Sequence, residues 1–196
     1  MPFDPPPAAP PALSDKDRHR LETHLELIRQ WNDAVGLVSE RDSGLLWERH
    51  VLDSLAVVPH ISKQGRHLDA GSGGGFPAIP VAVLRPSLEV TLVERSQRKS
   101  AFLRHAAFEL DLPNVSVVCR DLRQFSPIRR FDTATARGIA PPVAAWRMLR
   151  PLLAESGRLL VHHAGDIPAE IEGGALIATR SAGRGRLSEI ERRAKS

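Results

Sequence analysis

The stretch from His67 to Pro77 constrains this chain more than any other. A short apolar run, His67 to Ala70, carries Asp69; Gly71, Gly73, Gly74 and Gly75 follow, and Phe76-Pro77 opens a helical segment. Glycines between a strand and a helix permit tight turns and bring the main chain within contact distance of a ligand. The helix start beyond them offers unpaired N–H groups and the positive end of a dipole. Strand, glycine loop and helix in this order predict a nucleotide-type ligand held at the tip of the first strand of an α/β sheet.

The remaining pattern agrees. Short apolar runs alternate with helical stretches, which predicts strands at His67 to Ala70, Glu89 to Val93, Val115 to Cys119, Phe131 to Thr135 and Arg158 to His162. Helices are expected at Pro77 to Leu84, Gln97 to Leu110 and Pro142 to Leu152. A closing strand pair is expected at Ala175 to Thr179 and Leu187 to Glu191, turning at Gly183-Arg184-Gly185. Upstream, Ser14 and Asp17 resemble a capping box, and Leu21, Leu25, Ile28 and Trp31 recur at helical spacing. A second helix is predicted from Ser43 to Pro59. The first twelve residues hold six prolines and three alanines, so residues 1–13 read as a disordered leader. Residues 14–64 then form a helical cap, continuous as one domain with a mostly parallel Rossmann-like core at 65–196.

Composition narrows the partners. The formal net charge is +4, and arginine far outnumbers lysine, which favours a polyanion if the basic residues share a face. Cys119 is the single cysteine and no Cys/His cluster is present, so neither an intramolecular disulfide nor a metal is expected. The N-terminus lacks a secretory pattern and no stretch is apolar enough to cross a bilayer. A cytoplasmic protein without membrane contact, and a monomer, is expected.

The loop also discriminates between cofactors. In a G-x-G-x-x-G dinucleotide fingerprint the third position here is Phe76, too large for the close helix–strand packing which that position serves. Asp69, two residues before Gly71, instead fits the D-x-G-x-G-x-G loop of methyltransferases that use S-adenosylmethionine, with the acid near the ammonium of the ligand. Glu94 ends the second strand 23 residues after Gly71, where a carboxylate can accept both ribose hydroxyls. The plainer alternative is a solvated carboxylate paired with Arg95 or Arg98. No Ser/His/Asp, Cys/His or paired-carboxylate arrangement stands out for acid–base or nucleophilic chemistry.

With these residues in view, the chain resembles the bacterial 16S ribosomal RNA guanine-N7 methyltransferases, the family called RsmG or GidB (glucose-inhibited division protein B). The resemblance spans about Leu27 to Gly165. It rests on Trp31-Asn32, Arg49-His50-Val51-Leu52-Asp53-Ser54, Asp69 through Pro80, Gln97-Arg98-Lys99 with Phe102-Leu103-Arg104, and Ala136-Arg137-Gly138. It implies a class I methyltransferase fold, S-adenosylmethionine as cofactor, and 16S rRNA or a small-subunit assembly intermediate as partner. It also implies cofactor contacts at Gly71, Phe76, Leu122, Arg123 and Arg137, which join Asp69, Gly73 and Glu94 expected from the loop and the strand end. Arg137 is the one expected to act in catalysis, by positioning, since guanine N7 needs no general base. Arg49, His50, Asp53, Arg98 and Arg104 are the expected RNA contacts, with Arg184 and Arg186 as further phosphate candidates. Arg49 and Asp53 could equally be an i, i+4 ion pair. The chain departs from the family at Gly36, where an Asn is common, at Arg123, where Glu is usual, and at His163, which stands in for a Lys. Two other readings remain open: a methyltransferase for another RNA or a small molecule, and a non-catalytic RNA-binding assembly factor on the same fold.

Overall fold

The computed structural model of the protein describes residues 11–168, 170–182 and 185–193. Most of the expected leader, and the Gly183-Arg184 part of the expected turn, lie outside the described residues.

Helix α1, Asp15–Val35, begins where Ser14 accepts a hydrogen bond from the Asp17 amide and ends at Gly36, a left-handed residue at φ 65°. The carboxamide Oδ1 of Asn32 accepts the amides of Leu37 and Val38, both at 2.9 Å, which fixes the chain as it leaves the helix. The predicted second helix is broken into pieces: α2 (Glu40–Ser43), a π-helical turn at Trp47–Val51, α3 (Leu52–Val57), and a 3-10 turn at Val58–His60. The π turn inserts one extra residue, and such bulges rotate every following side chain around the helix.

Eight strands form one sheet in the order β3-β2-β1-β4-β5-β8-β7-β6. β1 (Gly65–Ala70), β2 (Leu88–Glu94), β3 (Val115–Cys119), β4 (Phe131–Arg137) and β5 (Leu153–His163) are parallel. β6 (Glu170–Ile171), β7 (Gly174–Ala182) and β8 (Gly185–Arg192) extend the sheet antiparallel. The closing pair is therefore longer than predicted, and β4 runs on to include Arg137.

Helix α4, Ala78–Leu84, is buried from Ala78 through Val83. It is apolar all round because the sheet covers one side and α1 and α3 cover the other. Helix α5, Gln97–Glu109, packs on the same face through Phe102, Leu103 and Ala106, and these join α1 and α3 in one apolar core. On the other face α6, Pro142–Leu149, buries Ala145, Trp146 and Leu149 against Leu68, Val93 and Leu159. The strand order reverses between β1 and β4, so the chain leaves their C-terminal ends towards α4 on one face and α6 on the other, and a crevice opens between the two connections, the position where open α/β sheets bind ligands. Among the described residues no helix is long and apolar enough to cross a membrane.

Candidate active site

At that crevice the glycine loop lies across the end of β1. A cleft of about 590 Å³ opens beside it, lined by Gly71, Gly73, Glu94, Leu122, Arg123 and Ile139 among others. The size suits a nucleoside-scale ligand. Two of the loop glycines have different reasons to be glycine. A Cβ on Gly71 would overlap Ile139, so that position is closed by packing. Gly73, at φ 52°, faces no heavy atom nearer than 3.8 Å, so the space in front of it is free for a ligand.

Glu94 reaches into the cleft from the end of β2. Its Oε2 accepts the Gly73 amide at 3.0 Å and its Oε1 accepts the Ser96 amide at 2.8 Å. Each carboxylate oxygen keeps a second lone pair, so the group is held rigidly and can still accept two hydroxyls. Among the described residues neither Arg95 nor Arg98 forms an ion pair with it. Across the cleft Leu122, Ile139, Ala140, Ala144 and Met148 supply an apolar wall. Asp121, which the sequence reading passed over, lines the cleft as well. It caps the 3-10 turn at Leu122–Gln124 by accepting the Arg123 amide at 2.9 Å, and the Arg123 guanidinium beside it holds its carboxyl far below the usual range. The Asp-Leu step at the end of a predicted strand was the signal available for it.

Asp69 does not line the cleft. It is 1% exposed beneath the loop, with Oδ1 accepting the Thr135 hydroxyl at 2.6 Å. That proton fixes the rest of the chain: Thr135 Oγ1 must accept from His67 Nε2–H at 3.0 Å, and His67 Nδ1 then accepts from Thr133 at 2.8 Å. Burial pushes His67 down to about 3, so this neutral form persists at working pH. Burial likewise raises the Asp69 carboxyl to about 6, and its Oδ2 has no hydrogen-bond partner. An orphaned buried carboxylate oxygen under the loop is complementary to a cation, and an amino-acid ammonium is one.

The other predicted residues gather in a second place, the seam between cap and sheet. Phe76 is 8% exposed, with its ring turned from the cleft and stacked on His50 at 4.9 Å. On its other side lies His24, a residue unmarked by any sequence motif, which donates from Nε2 to the Gly74 carbonyl at 2.9 Å. Burial lowers both His24 and His50 to about 4. Arg137, at the end of β4, also serves this seam. Its Nη2 donates to the Arg49 carbonyl at 3.2 Å and to His50 Nδ1 at 2.9 Å, and lies 3.6 Å from Asp53. Its Nη1 is buried without a partner.

The i, i+4 alternative for Arg49 and Asp53 does not form. The π turn separates them: Arg49 turns back to pair with Asp42, and Asp53 faces Arg137. Arg98 and Arg104 are exposed on α5 and outside the cleft. Arg123 pairs with Asp121 at 2.7 Å while remaining mostly exposed. Arg186 pairs with Asp166 at 2.5 Å. His163, where the family has a Lys, contacts the Gly165 carbonyl and Ser188, and burial lowers its pKa, which favours the neutral ring. No group of three His, Cys, Asp or Glu able to hold a metal occurs among the described residues.

Comparison with known proteins agrees with this geometry. The family profile GidB, rRNA small subunit methyltransferase G, matches residues 17–179. Proteins named ribosomal RNA small subunit methyltransferase G from Laribacter hongkongensis and Chromobacterium violaceum are 41% and 37% identical over 146 residues, covering 74% of this chain and 70% of each relative. Among solved structures, a variant of MtNAS in complex with S-adenosylmethionine superimposes with a TM-score of 0.61 over 91% of this chain and 76% of that one, at 14% identity. That likeness is one of fold, the α/β fold of class I methyltransferases.

Proposed function

We propose, from the premise that this chain belongs to the GidB family of small-subunit rRNA methyltransferases, that it methylates N7 of a guanine in 16S rRNA in the cytoplasm, with S-adenosylmethionine as donor. The observation that carries the reading is the cleft at the strand-order reversal, where Gly73 leaves space open and Glu94 presents two held but unsaturated oxygens.

Gly71, Gly73 and the orphaned Asp69 would hold the amino-acid end of the cofactor, Glu94 its ribose, and the wall around Leu122 its base. When bound, S-adenosylmethionine supplies a methyl group on a positively charged sulfur, an electrophile that needs no further activation. Guanine N7 carries an in-plane lone pair at neutral pH, so the chain has no proton to remove from it. What its residues contribute is orientation, a term worth roughly 7–11 kcal/mol when the reacting atoms are well aligned. The cap, whose residues do not line the cofactor cleft, would bound the space for the guanine beside it. Arg137 ties the cap to the sheet, and His24 and Phe76 tie it to the glycine loop. Arg137 is thus a positioning residue in this scheme, acting through Arg49, His50 and Asp53. The target guanine must leave its stack to enter, which favours a single-stranded or loosely folded RNA segment.

The test is mass spectrometry of 16S rRNA nucleosides from a strain lacking this protein. Loss of one 7-methylguanosine, restored by the purified protein with S-adenosylmethionine, supports the assignment. An unchanged 7-methylguanosine content rejects it.

A further inference from the structure

A second recess lies at the other end of the sheet. Its volume is about 560 Å³, and its lining includes Arg130, Arg150, Glu172, Gly173, Arg192 and Arg193. Arg130 immediately precedes β4 and Arg192 ends the antiparallel strand β8, so the recess sits by the N-terminal ends of the parallel strands. The cleft sits by their C-terminal ends. The seven residues of β4 therefore separate the two sites by roughly 20 Å.

Four arginines and one carboxylate line the recess. Glu172 lies 3.6 Å from Arg150 and is itself largely exposed; among the described residues Arg130, Arg192 and Arg193 have no ion-pair partner. Two of the four are held in place by backbone carbonyls, which fix a guanidinium without neutralising it. Arg150 donates to the Glu172 carbonyl at 2.8 Å, and Arg192 donates to the Leu153 carbonyl. The turn that carries Glu172 is shaped to allow this. Trp146 donates to the same Glu172 carbonyl at 3.0 Å, and a Cβ on Gly173 would overlap the Arg150 guanidinium. Arg192, held and without an ion-pair partner among the described residues, and the likewise unpaired Arg130 and Arg193 beside it match the oxygens of phosphate groups, which accept paired hydrogen bonds from a planar donor.

We infer that this recess binds backbone phosphates of a second segment of the folded RNA, remote from the target guanine; the inference rests on the RNA substrate proposed above. Contacts of this kind orient a large substrate and add affinity without reading sequence. A short strand occupying the cleft alone would not reach them.

The experiment compares wild-type protein with the Arg130→Glu/Arg193→Glu variant on two probes. One is full-length 16S rRNA from the deletion strain, and the other is a short single-stranded fragment spanning the methylated guanine. Loss of two phosphate contacts should lower the slope of log affinity against log salt by about 2 on the full-length RNA and weaken binding about tenfold at moderate salt. Fragment methylation and S-adenosylmethionine affinity should not change. Both arginines are exposed, and the Arg130→Gln/Arg193→Gln variant should show a smaller loss of the same kind should charge reversal impair folding. Undiminished affinity for the full-length RNA, or an equal loss on the fragment, overturns the inference and leaves the methyltransferase reading standing. A wild-type protein that neither binds nor methylates either RNA overturns both.

Discussion

The cleft and the cap seam are two halves of what the sequence motifs present as one site, and they are built on opposite plans. In the cleft, Gly73 faces open space and Glu94 keeps lone pairs to spare. In the seam, Phe76, His50, Arg137 and Asp53 are engaged with one another. A ligand can enter the first without displacing anything; the second is closed by its own side chains. Under the proposed function, residues matched to a family motif thus divide into those that would meet the cofactor and those that would brace the site around it, and each group should fail in its own way.

The largest effect is expected at Gly73. Gly73→Arg places a long cationic side chain in the one part of the loop that packing leaves free. Calorimetry should detect no S-adenosylmethionine binding, while circular dichroism shows a folded protein of somewhat lower stability, since a non-glycine residue at φ 52° costs of order 1 kcal/mol. Near wild-type affinity in that variant would remove the loop from the cofactor site and dissolve the distinction between the two regions.

Arg137→Ala should behave as a seam variant. Cofactor affinity should stay within a few-fold of wild type, whereas kcat for methylation falls roughly 100-fold, the scale of loss expected when a wall of the site shifts by about 1 Å. Asp53 then loses the guanidinium beside it in a half-buried position, so a modest drop in melting temperature should follow. Arg137→Lys retains the charge without the planar guanidinium whose Nη2 donates to both the Arg49 carbonyl and His50, and should recover only part of the rate. An unchanged kcat in the alanine variant would make the seam purely structural.

Asp69 stands between the two regions, since it belongs to the loop yet does not line the cleft. Its carboxyl is raised by burial to about 6 from an ordinary 3.8. Between those values the folded state holds a proton that the unfolded chain has released, so this group makes folding less favourable as pH rises from about 4 to about 6. Above that range both states are ionised and the penalty stays constant. A bound ammonium offsets it, so S-adenosylmethionine affinity should rise through pH 6, by up to about tenfold. Asp69→Asn should flatten both profiles. An unaltered affinity profile in that variant would place the ammonium elsewhere.

The glycine loop, Glu94 at its strand end and the five parallel strands were legible because each follows from local rules: glycine spacing, an acid at a strand end, and apolar runs alternating with helices; the order of those strands in the sheet was not. The seam was legible only as a string of residues, Arg49-His50-Val51-Leu52-Asp53-Ser54, without its geometry. A π turn depends on how the cap lies against α4 and β4, and no periodicity in the string announces an extra residue; hence Arg49 pairs with Asp42 and leaves Asp53 to Arg137. His24 was hidden for a related reason. It reads as one polar residue among Leu21, Leu25 and Ile28, and its purpose appears only when the Gly74 carbonyl arrives from fifty residues away. His67 and the two threonines are likewise spread over neighbouring strands, and alternation along either strand says nothing about a hydrogen-bonded chain across them.

The smallest effect separates the rim of the cleft from its floor. Arg123 lines the cleft yet is mostly exposed, and its guanidinium is committed to Asp121. Exposed pairs of this kind contribute little because water screens them and long side chains resist being held. Arg123→Ala should therefore change S-adenosylmethionine affinity by no more than about twofold, whereas Leu122→Ala, which removes part of the apolar wall, should weaken it by about tenfold. The Asp121 carboxyl, relieved of its guanidinium, should titrate closer to the ordinary carboxylate range, a shift readable by carbon-13 NMR. If the arginine variant instead loses more affinity than the leucine variant, the rim has bound the ligand through charge, and the substitution of Arg for the usual acid has changed how this chain holds its cofactor.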